Sequence, residues 1–348
     1  MRDGRYAALL VFLSVMFLLH ANAVAPQPSR VFTESYFVPS RDPGIQLYVR
    51  NKHPEGGAPF RPDRILLFVH GATFPSEATF DLSLGGLSWM DYIAQRGWDV
   101  YLMDVRGYGG STRPREMSQP ATANPPIVNT DVAVKDVAAV VDHILVRRRV
   151  PRIDLMGWSW GTMITGIYTT QNSGKVGRLV LYAPLWLRQT PRPISTTGSL
   201  GAYRSVAREQ VQQRWLNGVP DEKQWNLIPP GWLNALWKAL LESDPVGAAQ
   251  APPVIRAPNG VLEDLTKYMS ADSTPYYDPA QITVPVLIIQ AEWDSDAPPY
   301  MSRTIFAKLT RAPVKRYVMI GEGTHFVMME RNRMQLFREV QGFLEEPR

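Results

Sequence analysis

Gly157-Trp158-Ser159-Trp160-Gly161 sets a serine midway between two glycines, directly after the apolar run 153–156 and before a helix-like stretch, 162–171. A strand that turns sharply into a helix crowds the positions two before and two after the turn residue, so those positions must be nearly without side chains. The start of the following helix would present Trp160 N–H to a developing oxyanion. The five residues therefore predict a nucleophilic serine, with a passive serine in a tight turn as the plainer reading.

A serine hydroxyl attacks poorly until a base takes its proton. The chain has five histidines. His20 lies in an N-terminal apolar segment, His53 reads as part of a Pro/Gly-rich loop, His70 ends an early strand, and His143 falls within a helical stretch. His325 is left, in the loop after a late strand, and the chain order serine, acid, histidine is satisfied if an acid precedes it. Three acids, Glu292, Asp294 and Asp296, follow the apolar run 286–290, and a buried carboxylate there would fix the imidazole tautomer. A second oxyanion donor is expected after an early strand. His70-Gly71-Ala72-Thr73 follows the run 65–69, which makes Ala72 N–H the first choice and Thr73 N–H the second.

These residues need a scaffold that brings distant loops together. The runs 65–69, 100–103, 153–156, 179–182 and 286–289 are short and almost continuously apolar, as strands buried on both faces are. Helix-period segments separate them; in 131–149, Val134, Val137, Ala138, Val141, Ile144 and Leu145 recur at spacings of three and four. Strand alternating with helix predicts a mostly parallel α/β sheet. Two further extended segments, 31–38 and 45–50, flank the turn Arg41-Asp42-Pro43-Gly44 and predict an antiparallel edge. The alternation stops over 185–282, a stretch rich in Trp and Pro that reads as a strand-free helical insert. A last strand over 314–320 and a helix over 332–344 close the chain.

Composition narrows the function class. Hydrophobic residues make up 45% and charged residues 20%, so a chain of 348 residues can bury a large core. The net charge of +5 is mild and dispersed, which disfavours nucleic acid as a partner. Cysteine is absent, which excludes disulfides, thiolate metal sites and a cysteine nucleophile. Arg2 and Arg5 precede an apolar stretch, 6–19, and then Ala21-Asn22-Ala23, the form of a secretory signal cleaved after Ala23. The apolar stretch falls short of the roughly 20 residues that span a bilayer, so an uncleaved anchor is the lesser reading. Export to a secreted or periplasmic location, with no stable membrane anchor after cleavage, is the expectation.

In chain order, His70-Gly71, the segment Asp104-Val105-Arg106-Gly107-Tyr108-Gly109-Gly110-Ser111, the Ser159 turn, Asp294 with Pro298, and Gly323-Thr324-His325-Phe326 resemble the α/β-hydrolase superfamily over nearly all of residues 31–344. The nearest style is its capped esterase, lipase-like and prolyl-iminopeptidase-like branch. The resemblance implies an eight-stranded, mostly parallel sheet with a helical cap over the site; with residues 1–23 read as a signal peptide, 24–184 and 283–348 are the core and 185–282 the cap. It implies Ser159, Asp294 and His325 as a catalytic triad, with Asp294 preferred over Asp296 and Glu292 because Pro298 matches the family spacing. Ala72 and Trp160 N–H form the oxyanion hole, and neither metal nor cofactor is required. A small-molecule carboxylic ester, apolar or aromatic, is the expected substrate; amide or prolyl-peptide hydrolysis and a non-catalytic binding role are the alternatives.

Overall fold

The structure is a computed structural model that describes residues 30–56, 61–189, 200–270 and 272–347. The signal read at residues 1–23 lies outside the described residues. Strands β1 (Val31–Pro39) and β2 (Gln46–Pro54) pair antiparallel from Val31↔Pro54 to Pro39↔Gln46, so the turn at Pro43-Gly44 joins an edge hairpin. His53 lies in β2 opposite Phe32, not in a loop. The apolar runs become β3 (Ile65–Val69), β4 (Asp99–Met103), β5 (Ile153–Trp158), β6 (Val176–Tyr182) and a later strand at Val286–Ala291, and every residue in them is buried. Burial on both faces explains their lack of apolar/polar alternation.

Short helices α1 (Ser76–Phe80) and α2 (Trp89–Ala94) lie between β3 and β4, and α3 (Thr130–Arg148) and α4 (Trp160–Gln171) flank β5. The α3 helix starts where Asn129 accepts a hydrogen bond from Val132 N–H at 3.0 Å, a cap that contributes about 1 kcal/mol. After β6 comes the insert: β7 (Tyr203–Val206), α5 (Arg208–Leu216), α6 (Asp221–Leu227), α7 (Trp232–Ser243), α8 (Pro245–Ala248), β8 (Ile255–Pro258) and α9 (Gly260–Tyr268). Then β9 (Val286–Ala291), α10 (Pro299–Lys308), β10 (Lys315–Ile320) and α11 (Arg333–Glu345) finish the core.

The insert is not free of strands. β7 and β8 pair antiparallel from Tyr203↔Pro258 to Val206↔Ile255. Each has four residues and carries a charged side chain in an otherwise ordinary sequence. Arg256 is buried with Asp244 at 2.7 Å and with Met117 O accepting from its Nη1 at 2.7 Å, so no apolar run announces the strand.

The eight-stranded sheet has the order β1-β2-β4-β3-β5-β6-β9-β10, antiparallel between β1, β2 and β4 and parallel elsewhere. Its chain path reverses direction at β3, which has β4 on one side and β5 on the other. Loops leaving β3 and β5 therefore part at their carboxyl ends, where this kind of sheet opens a crevice. Helices α3 and α4 pack together on the sheet, and α2 with α11 forms another layer, where Trp89 stacks on Phe337 at 4.7 Å.

Candidate active site

Ser159 separates β5 from α4 with φ 55° and ψ −119°, a backbone that costs a non-glycine residue about 1–3 kcal/mol. Packing around the turn enforces it. A Cβ on Gly157 would stand 2.3 Å from Gly161 O, and one on Gly161 would stand 2.3 Å from Val69 O, at the end of β3. The α4 helix thus presses directly onto the β3 backbone, and no side chain fits between them. Ser159 N–H donates to Tyr182 O at 3.0 Å, which ties the turn to the end of β6. Trp160 is the first residue of α4, and its N–H has no carbonyl to meet within the helix.

Val69 pairs with Gly157, so the loop after β3 leaves the sheet beside the serine turn. Gly71 approaches so closely that an added Cβ would lie 3.2 Å from Ser159 Cβ. His70 is wholly buried and accepts from Val105 N–H through Nε2 at 3.0 Å, which leaves Nδ1 to donate to Gly71 O at 2.7 Å. Burial pushes its pKa down to about 4, so this neutral tautomer holds the Gly71–Ala72 peptide in one orientation. The next carbonyl, Ala72 O, accepts from Tyr108 Oη at 2.8 Å and from Arg204 Nη2 at 2.6 Å. Asp104 braces the same region: its carboxylate accepts from Ser76 N–H and Gly110 N–H at 2.8 and 3.0 Å.

Asp294 follows β9 and His325 follows β10, two and three strands away from β5. The His325 loop folds back over the sheet, and its carbonyl accepts from Trp158 Nε1 at 3.0 Å and Tyr182 Oη at 2.9 Å. His325 Nδ1 lies 2.9 and 3.0 Å from the two Asp294 oxygens, and Asp294 Oδ1 also accepts from Ala297 N–H at 2.8 Å. His325 Nε2 has no hydrogen-bond partner among the described residues, so its bond to Ser159 Oγ is unmade here. Ser159 and His325 are only 4% and 2% exposed, so the pair lies beneath the surface. Phe74, Trp158, Trp215 and Phe326 form an aromatic group around them, with Trp158 and Trp215 each 5.6 Å from Phe326.

The two neighbouring acids are engaged elsewhere. Glu292 accepts from Glu322 N–H at 2.9 Å, and Asp296 pairs with Arg214 at 2.6 Å. Asp296 does not cap α10, whose N-cap is Pro298 without a side-chain bond. Three residues that sequence reasoning passed over, Arg204, Arg214 and Glu330, also reach the site, and so does Tyr108, which stood in the segment 104–111 without a role. Glu330 is buried and accepts from Thr324 N–H at 3.0 Å, from the Thr324 hydroxyl, and from Trp215 Nε1 at 3.0 Å. Burial pushes its pKa up to about 7 against those donors. An acid placed directly after the apolar run 326–329 was the only hint of it in the sequence. Among the described residues no group of three or more His, Asp or Glu side chains converges as metal ligands.

A model of the alpha/beta hydrolase family matches residues 66–339. The chain belongs to that family. Among solved structures, this α/β hydrolase is similar to a thermophilic esterase from Thermogutta terrifontis, at 14% identity and a TM-score of 0.57 over 89% of this chain and 98% of that one. It is similar to Est816, described as an N-acyl homoserine lactone degrading enzyme, at 17% identity and a TM-score of 0.57 over 88% and 100% of the two chains. A membrane phospholipase A, described as a bacterial virulence factor, aligns at 16% identity and a TM-score of 0.56 over 90% and 86%. At such identities the likeness is one of fold. No curated protein matches the sequence.

Proposed function

We propose that this α/β hydrolase is an exported serine hydrolase that cleaves a small carboxylic ester through an acyl-enzyme. The observation that carries the reading is the His325–Asp294 contact at 2.9 Å beside a serine held in a strained strand-to-helix turn. His325 Nε2 takes the Ser159 proton as Oγ bonds to the ester carbonyl carbon, and Asp294 stabilises the resulting imidazolium at Nδ1. Ala72 and Trp160 N–H groups meet the oxyanion. His325 then gives its proton to the departing alkoxide. Water, deprotonated by the same histidine, attacks the acyl carbon and releases the acid, which restores Ser159.

The aromatic group around Ser159 and His325 favours an apolar or aromatic ester. The insert tryptophans support this less than their number suggests. Trp215 is committed to Glu330, Trp186 packs on Tyr277, and Trp225 is exposed at the surface. Residues 185–282 act in this reading as the lid that admits substrate, and the apolar N-terminal segment directs export.

A fluorophosphonate probe tests the assignment. One label is expected, on Ser159, and Ser159→Ala should lose the label and lower kcat by roughly 10⁴ to 10⁶ with the fold intact. Turnover of aryl esters by the alanine variant within tenfold of wild type refutes the reading.

A further inference from the structure

Arg204 of β7 is half-buried, and the partners of its guanidinium among the described residues are all neutral. Nη1 donates to Pro258 O at 2.7 Å and to Asn259 Oδ1 at 3.3 Å; Nη2 donates to Ala72 O at 2.6 Å and to Thr73 Oγ1 at 2.9 Å, with the Tyr108 hydroxyl beside it. No carboxylate of the described residues pairs with it, and the other cation that bears on it is Arg214 of α5, a like charge. Burial, with Arg214 adding to it, pulls its pKa below the ordinary arginine value, yet a guanidinium stays charged. Taking a cation out of water without a counter-ion is costly, and neutral donors would serve the same oxygens at less cost. Other arginines of the insert are matched: Arg214 pairs with Asp296 at 2.6 Å and Arg256 with Asp244 at 2.7 Å. The charge of Arg204 is left over.

Thr73 brings that charge to the reacting atoms. Gly71 lies against Ser159, since a Cβ on it would stand 3.2 Å from Ser159 Cβ. Thr73 is two residues further, at most about 7 Å along the chain. Its Oγ1 accepts from Arg204 and also from Arg214 Nη1, at 3.1 Å. A hydroxyl has two lone pairs and one proton. With both lone pairs turned to guanidinium groups, the proton points away from them, and no acceptor takes it among the described residues.

We propose that Arg204 and the Thr73 hydroxyl form a subsite for a carboxylate carried by the substrate itself, within a few bonds of the ester carbonyl. The inference rests on the serine hydrolase reading and narrows its substrate to an otherwise apolar ester with one anionic end, a half-ester of a dicarboxylic acid or an ester of a hydroxy acid. The substrate carboxylate is the counter-ion that Arg204 lacks, and it accepts the Thr73 O–H in a charge-assisted hydrogen bond. Arg204 belongs to the insert and Thr73 to the core loop beside the proposed oxyanion donor Ala72, so the anionic end is read at the junction of the two.

The test is kcat/KM near neutral pH, by titration of released acid, on two pairs of esters that differ only in a carboxylate against an amide. Monoethyl glutarate against ethyl glutaramate places the charge in the acid half; O-acetylglycolate against O-acetylglycolamide places it in the alcohol half. Wild type should prefer the carboxylate member of one pair by about tenfold or more, and that pair identifies the half that carries the charge. R204M and T73V should bring the ratio towards one, whereas R204K, which keeps the charge, should retain part of it. A bracing role alone would slow both members of a pair alike and leave the ratio unchanged. An unchanged ratio in R204M or T73V overturns the proposal. So do wild-type rates no higher for either carboxylate than for its amide, a comparison that needs no variant to fold. Fluorophosphonate labelling of wild type separates the two readings. No label on Ser159 overturns both, and a labelled enzyme that gains nothing from the carboxylate overturns this one alone.

Discussion

Asp294 and Asp296 are two residues apart, yet their carboxylates face opposite nitrogens of one imidazole. Only the first has the geometry to fix the tautomer that leaves Nε2 as acceptor. Asp294→Asn is therefore expected to lower kcat by roughly 10⁴, and Asp296→Asn by less than about tenfold. Steady-state kinetics on one ester, with the reverse ranking, would move the acid to Asp296. The candidate residues were readable to different degrees for physical reasons. Five histidines, four of them placed in other elements, leave His325 by elimination. The acids at 292, 294 and 296 share a loop, and local sequence does not say which one turns inward. Arg204 and Arg214 were beyond reach, because their partners lie 131 and 141 residues away and nothing local marks an arginine as folded onto another domain's loop.

At the scale of elements, the serine turn depends on the close approach of α4 to β3. Gly161→Ala would drive a methyl group into Val69 O, a backbone atom that cannot rotate away. A loss of about 3 kcal/mol is expected, read from the urea midpoint. Gly342 in α11 is the control. It has nothing within 4 Å of an added Cβ, so Gly342→Ala should stabilise by about 0.5–1 kcal/mol. Equal effects at the two glycines would mean that the turn is not tightly packed. The core strands were legible because burial on both faces writes a continuous apolar run, and β3 starts and ends where that run does, at Ile65 and Val69. The ribbon β7–β8 was not, since its pairing rests on contacts between segments about 50 residues apart and on a buried ion pair, Arg256–Asp244. His53 was misread because Pro54 and the glycines after it suggested a loop, while β1 holds the strand as far as Pro54.

The whole molecule joins a sheet core to its insert through a shared apolar cluster and a set of polar contacts, and one of those polar contacts titrates near neutrality. If the insert moves as a lid, its amides should exchange with solvent faster than those of β5, β6 and β9, and mass spectrometry after deuteration would show equal protection if it does not. Glu330 bears on the same joint, for it holds Thr324 beside His325 and Trp215 of α5 at once. Its folded pKa, pushed up to about 7 from an ordinary 4.5, means that the native state keeps a proton the unfolded chain releases. That contribution is fully present below about pH 4.5 and is lost as pH rises through about 7. His70 works in the opposite sense: with its pKa pushed down to about 4, its contribution is present above about pH 6.5 and is lost as pH falls towards 4. The two slopes oppose each other over nearly the same range, so wild-type stability should change little between pH 4.5 and 7 on their account. Glu330→Gln removes one of them. Relative to wild type, the variant should gain about 3 kcal/mol between pH 4.5 and 7.5, seen as a rising difference in urea midpoints at successive pH values. A difference that stays constant across that range would place the Glu330 titration outside it and leave the joint between insert and His325 loop insensitive to pH.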